Sequence, residues 1–158
     1  MTPENYEWLQ EVIKAEEKVE ETGIVDFDHA FNPERILVTE ALKLMGEIKQ
    51  DLEAAIEIFN EMKPTPNAKI KVYSIAKTHA DFMIFRNGYK LIFSLIKSGV
   101  IAIRLHYMNT THQDNETIEI KWGPFHDVIW VHKGQPIKKE NLVRYFLVKF
   151  IRESLNSN

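Results

Sequence analysis

Apolar positions recur at two different intervals along this chain, and the change falls near residue 66. Up to that point they return every three or four residues, the signature of helices packed on one side. Thr2-Pro3-Glu4 is a helix start, with a hydroxyl cap, a proline whose missing N–H costs nothing, and a carboxylate at the positive end of the dipole. Tyr6, Leu9, Val12, Ile13 and Val19 follow at helical spacing, and Gly23 offers a stop. After the linker IVDFDHAF, Asn32-Pro33-Glu34 repeats the start signal. Val38, Ala41, Met45, Ile48, Leu52, Ala55, Phe59 and Met62 then form a seam, widened by Leu37, Leu42, Leu44, Ile56 and Ile58. So wide a stripe suits packing on a sheet or among several helices better than a two-stranded coiled coil. Pro64 and Pro66 end it, and Gly46 interrupts it as a possible point of close packing or slight kinking. A helix of about 30 residues is ~45 Å long, whereas a five-stranded sheet is only ~20–25 Å wide. It should overhang the sheet, and its free end needs the first helix or another subunit.

Beyond residue 66 the interval becomes two. The pattern predicts strands near 69–76, 80–86, 89–96, 100–108, 116–122 and 126–132, then a helix at about 138–155 after a turn at Gly134 and Pro136. Asn87-Gly88 between two strands is a type I′ hairpin signal, which sets Arg86 opposite Tyr89, Ile84 opposite Leu91 and Phe82 opposite Phe93. The next turn decides the faces. A three-residue loop, Lys97-Ser98-Gly99 with glycine in the left-handed position, pairs Leu95 with Ile101, Phe93 with Ile103 and Leu91 with Leu105. A one-residue slip would throw these side chains to the other side. The resulting core face carries Phe82, Ile84, Leu91, Phe93, Leu95, Ile101, Ile103, Leu105 and Tyr107, extended by Ile118, Ile120 and Trp122. The second face carries Met83, Phe85, Ile92, Ile96, Val100 and Ala102, rimmed by Asp81, Lys90, Ser94, Arg104 and His106. That face is too apolar for open water and its rim too polar for a deep core. Two covers are available: the C-terminal helix, with Leu142, Val143, Phe146, Leu147, Phe150 and Ile151 on its apolar side, or a second copy of the chain.

The fold class is therefore α+β. An N-terminal helix and one long helix pack on an antiparallel meander of five to six strands, closed by a C-terminal helix. Residues 1–158 read as one domain, with a helical part at 1–66 and the sheet plus last helix at 67–158. Strand order beyond the two hairpins stays open.

Composition narrows the class without naming a reaction. The chain of 158 residues is 44% hydrophobic and 27% charged, ordinary for a globular protein with a sizeable core. It contains no cysteine, which excludes disulfides, thiolate metal sites and a cysteine nucleophile. No apolar run reaches 18 residues, so no membrane span is expected. The acidic, amphipathic start is neither a signal nor a transit peptide, and a cytoplasmic location is expected. The net charge of −3 conceals a split: −10 over residues 1–68 and +7 over residues 69–158. The basic residues are dispersed, so mutual neutralisation, within one chain or across a dimer, explains the split better than a nucleic-acid surface.

Candidate chemistry is sparse. No HExxH, Walker loop, GxGxxG or GxSxG is present, so no cofactor or metal is expected. His126 and His132 are six residues apart on one strand, about 20 Å, too far to share a metal. Asp26, Asp28 and His29 form the best local ligand cluster, better read as a polar linker near helix ends. Arg104 and His106, with Glu119 of the adjacent strand, are the candidate ligand-binding or acid–base residues. His126-Asp127, after the Trp122-Gly123-Pro124-Phe125 bend, reads as a turn. Tyr73, Phe85, Tyr107, Trp122 and Trp130 offer stacking platforms, but Tyr107 and Trp122 fall on the core face. The favoured reading is a non-catalytic binding or assembly module, a homodimer formed through the sheet face, the long helix or both. Met83, Phe85, Ile92 and Ile96 would form the partner interface. Alternatives are a small-ligand binder or enzyme with its site around Arg104 and His106, and a nucleic-acid binder using the basic half.

Overall fold

The computed structural model describes residues 7–22, 33–63, 65–75, 81–107, 113–125 and 127–155. Helix α1 (Glu7–Thr22) precedes the long helix α2 (Pro33–Glu61). A turn of 3-10 helix at Pro66–Ala68 leads into β1 (Lys71–Ser74), β2 (Phe82–Arg86), β3 (Tyr89–Lys97), β4 (Val100–Tyr107), β5 (Gln113–Trp122), β6 (Val128–His132) and β7 (Gln135–Pro136). Helix α3 (Lys139–Glu153) follows. The architecture is the expected α+β arrangement, and the strands lie side by side in chain order as one seven-stranded antiparallel sheet. The extra strand is β7, two residues long, where Gly134 and Pro136 were expected to make only a turn. Lys133 and Gly134 both adopt positive φ, 52° and 76°, in the two-residue turn that pairs β7 with β6. Pro136 is tolerated because β7 is an edge strand, where one N–H is dispensable.

Two turns set the register of the sheet's centre. Asn87 and Gly88 have φ of 52° and 83°, the pair of positive values a type I′ turn requires. Gly99 has φ of 75°, and a Cβ there would lie 2.9 Å from the Ile120 carbonyl oxygen, so glycine is needed twice over. Phe82 pairs with Phe93 and Ile84 with Leu91, while Leu91, Phe93 and Leu95 pair with Leu105, Ile103 and Ile101. The three-residue turn is therefore the one used, with an irregularity between Leu95 and Lys97. Phe82 and Phe93 stack with ring centroids 4.6 Å apart, a cross-strand pair that this register creates.

Helices α2 and α3 both bury their stripes on this face. Ala41, Leu44, Met45, Ile48, Leu52 and Ile56 of α2 join Leu142, Phe146 and Phe150 of α3 in one cluster with the sheet. Phe146 meets Phe93 edge to face at 5.8 Å. Lys139 of α3 pairs with Asp51 of α2 at 3.3 Å. The C-terminal helix thus lies beside the long helix and not on the second face. The stripe of α2 is narrower than its sequence suggests: Leu42, Ile58 and Met62 are exposed. Asn60 fastens the far end of α2 to the entry of β1, its amide donating to the Ile70 carbonyl and accepting from the Ile70 N–H, each at 2.8 Å. At the near end α1 packs on the first turns of α2, with Ala15 fully buried and Arg35 facing Glu11 at 3.5 Å. Trp8, Leu9 and Ile13 of α1 remain exposed.

Gly46 is exposed and a Cβ there would meet nothing within 4 Å, so it serves neither close packing nor a contact. Gly46→Ala should raise stability by about 1 kcal/mol, read as a higher urea midpoint with unchanged slope. Asn87→Val should cost about 2–3 kcal/mol, since a β-branched residue resists positive φ and the Asn87 Nδ2 bond to the Ser154 carbonyl, 2.7 Å, is lost. Asn87→Gly should recover the backbone part only. Equal melting temperatures for the valine variant and the wild type would contradict the turn's role.

Candidate functional site

The register also arrays the second face in rows. Phe85, Lys90, His106 and Gln113 form one row, Met83, Ile92, Arg104 and Asn115 the next, and Ser94, Ala102 and Thr117 a third. The described helices pack on the opposite side of the sheet. Met83, Phe85 and Ile92 are half-buried among their strand neighbours, and Ile96 is 55% exposed. Small residues occupy the middle, where Ser94 and Ala102 are buried. The Arg104 guanidinium lies over this centre, its Nη2 3.5 Å from Ser94 Oγ and its Nε buried with no hydrogen-bond partner.

Arg104 and His106 are thus brought to one face of one strand, but Glu119 is not brought to them. Glu119 sits opposite Val100 and pairs with Lys121 at 3.1 Å. Arg104 faces Asn115, four residues back along β5, or about 13 Å away. The immediate neighbours of His106 across the strands are Lys90 and Gln113. An acid–base pair of His106 with Glu119 is out of reach at this spacing. Tyr107 belongs to the opposite face and stacks on Tyr89 with centroids 4.4 Å apart.

A second polar centre lies on the helical side of the sheet, at Glu116. Alternation places Glu116 of β5 on the same side as Ile118 and Ile120, so its carboxylate points under α3. Tyr145 donates its hydroxyl to Oε1 at 2.9 Å, and Lys149 donates to Oε2 at 2.8 Å. His132, 7% exposed, places Nε2 3.0 Å from Oε1. Lys133 in turn donates to the Tyr145 hydroxyl at 2.8 Å. Burial pushes the Glu116 carboxyl up, but the hydrogen bonds from Lys149, Tyr145 and His132 outweigh it and hold the group at about 2. A carboxylate so stabilised is a weak base. With both oxygens occupied it works as a clasp between β5, β6 and α3, not as a proton carrier. Its signal was present in the alternation Glu116, Ile118, Ile120, since a charged residue in register with core residues must find partners inside.

Among the described residues, no three or more His, Asp or Glu side chains gather as a metal site, and no helix is long and apolar enough to cross a membrane. Asp26, Asp28, His29 and His126 lie outside the described residues.

Because the folded carboxyl of Glu116 titrates near 2, below its ordinary 4.5, its ionised form stabilises the fold fully above pH 4.5. That contribution is lost as the pH falls from 4.5 towards 2. Glu116→Gln should cost about 2–3 kcal/mol at neutral pH and flatten the stability profile across that acid window, measured by urea unfolding at several pH values. An acid slope as steep in the variant as in the wild type would assign the acid sensitivity elsewhere.

Comparison with known proteins finds no matching family model, no matching curated protein and no matching solved structure.

Proposed function

We propose that this protein is a non-catalytic binding or assembly module that pairs with a second copy of itself through the open face of its sheet. The observation that carries this reading is the apolar centre Met83, Phe85 and Ile92, on the side of the sheet away from α2 and α3. Completing the burial of such side chains is worth up to ~1.5–3 kcal/mol each. Six strands about 4.8 Å apart, each offering about six residues at ~3.3 Å, give a face of roughly 500 Å² in projection, on the scale of the ~800 Å² of accessible surface a standard interface buries per partner. Lys71, Lys90 and His106 lie at one end of the face, and at the other end Glu119 is already paired with Lys121. A two-fold axis running across the strands lays the apolar row of one copy on that of its partner, as an isologous contact requires.

The competing reading, a small ligand held at Arg104 and His106, is favoured by the partnerless Arg104 Nε. Sedimentation velocity separates the two. The wild type should sediment as a dimer, and Ile92→Lys, a charge at the centre of the face, should weaken association about thirtyfold or more with unchanged far-UV circular dichroism. A wild type that stays monomeric at millimolar concentration would sink the assembly reading. A submicromolar, salt-sensitive complex with an oligonucleotide, strengthened by the added lysine, would replace it with a nucleic-acid surface.

A further inference from the structure

The two edges of the sheet are not equally closed. β7 is two residues long and carries Pro136, so it offers little to a further strand. β1 has four residues, no proline and Lys71 as its one charge. Its pairing with β2 fixes which backbone groups point outward. The Ile75 N–H donates to the Asp81 carbonyl at 3.0 Å, and Ile75 continues the register in which Ser74 faces Phe82. By alternation Lys71 and Tyr73 also turn their N–H and C=O toward β2, while Ile70, Val72 and Ser74 turn theirs away. At Ile70 both outward groups are taken by the Asn60 amide, which stands where a neighbouring strand would, 2.8 Å from each. At Val72 and Ser74 the outward backbone groups have no partner among the described residues.

That pattern is self-complementary. A two-fold axis through Tyr73, perpendicular to the sheet, lays the edge antiparallel on that of a second copy. Val72 then faces the partner's Ser74, Ser74 faces the partner's Val72, and each pair exchanges two backbone hydrogen bonds. Tyr73, 43% exposed, meets its own counterpart in the close pair between them, and the apolar row Tyr73, Met83, Ile92 runs on into the partner. Charge on α2 agrees. Lys49 donates to Ser74 Oγ at 2.6 Å and Asn60 holds Ile70, so α2 runs antiparallel to β1. Glu53 lies ~6 Å along α2 from Lys49 toward Asn60, about the spacing from Ser74 to Val72. The two-fold axis exchanges those levels and brings Lys49 of each copy level with Glu53 of the partner subunit. An extended peptide would have to be ordered to use this edge, whereas a second β1 is ordered already.

We propose that the free edge of β1 is a self-pairing surface, through which two copies join their sheets edge to edge at Val72 and Ser74 around Tyr73. The contact is independent of pairing through the open face and smaller than it. It links face-paired molecules into a larger assembly at higher concentration, and pairs single chains where the face contact is absent.

The chain has no cysteine, so a single introduced one reports the register. Cross-linking with oxidised glutathione is followed in the full chain and in the Ile92→Lys background, where face pairing is disabled. Cα atoms opposite each other in the close pair are ~4.5 Å apart, within reach of a disulfide, whereas stacked sheets are ~10 Å apart and out of reach. Tyr73→Cys should therefore become a covalent dimer in both backgrounds. Lys71→Cys, which faces the partner's Ile75, should do so about tenfold more slowly or worse. Hydrogen exchange at the Val72 and Ser74 amides should slow about tenfold or more as protein concentration rises. Ser74→Pro removes only an outward N–H, so it should keep the fold and weaken edge pairing about tenfold or more. Exchange at Val72 and Ser74 that stays fast at millimolar concentration would overturn the proposal, as would equal cross-linking of the two cysteine variants.

Discussion

The parity of the central hairpins governs this molecule. In a β-strand every second side chain shares a face, so the two turns that set the β2–β3–β4 register also sort each residue of those strands to one side or the other. Asn87-Gly88 and Gly99 hold backbone conformations that most residues resist, and Gly99 additionally lets the Ile120 carbonyl approach to accept no substitute side chain. From that sorting follow the Phe82–Phe93 stack, the docking of α2 and α3 on one side, and the apolar patch left on the other. A slip of one residue would bury Lys90 and Arg104 under the helices and expose Phe93 and Leu105.

Much of this was readable from residue order, because turn chemistry and alternation are local. The central pairings and the long helix follow from Asn87-Gly88, Gly99 and the seam through Met45 and Leu52. What sequence reading missed is instructive. Arg86 and Glu116 obey the same alternation as Ile84 and Ile118, yet both escaped notice because the core face was read from its apolar members alone. The expected nearness of Glu119 to Arg104 failed for a different reason. The β4–β5 register depends on the connection between those strands, and it carries none of the turn signals that fix the first two hairpins. The side taken by α3 was likewise open, since an apolar stripe says that a helix is buried but not against which face. Only the meeting of Phe146 with Phe93 and of Lys149 with Glu116 decides it.

The two buried charges make a contrast that bears on how α3 is held. Glu116 is surrounded by donors, with Lys149 and Tyr145 reaching down from α3 and His132 from β6. Arg86, beside the C-terminal end of the same helix, has among the described residues only Ser154 Oγ and the Phe59 ring. Asn87 adds a bond to the Ser154 carbonyl, so the end of α3 rests on the hairpin tip with no carboxylate in the contact among the described residues. The clasp at Glu116 is strong because a carboxylate with charged donors lies far below its ordinary pKa. The contact at Arg86 is weak because no carboxylate among the described residues opposes the charge.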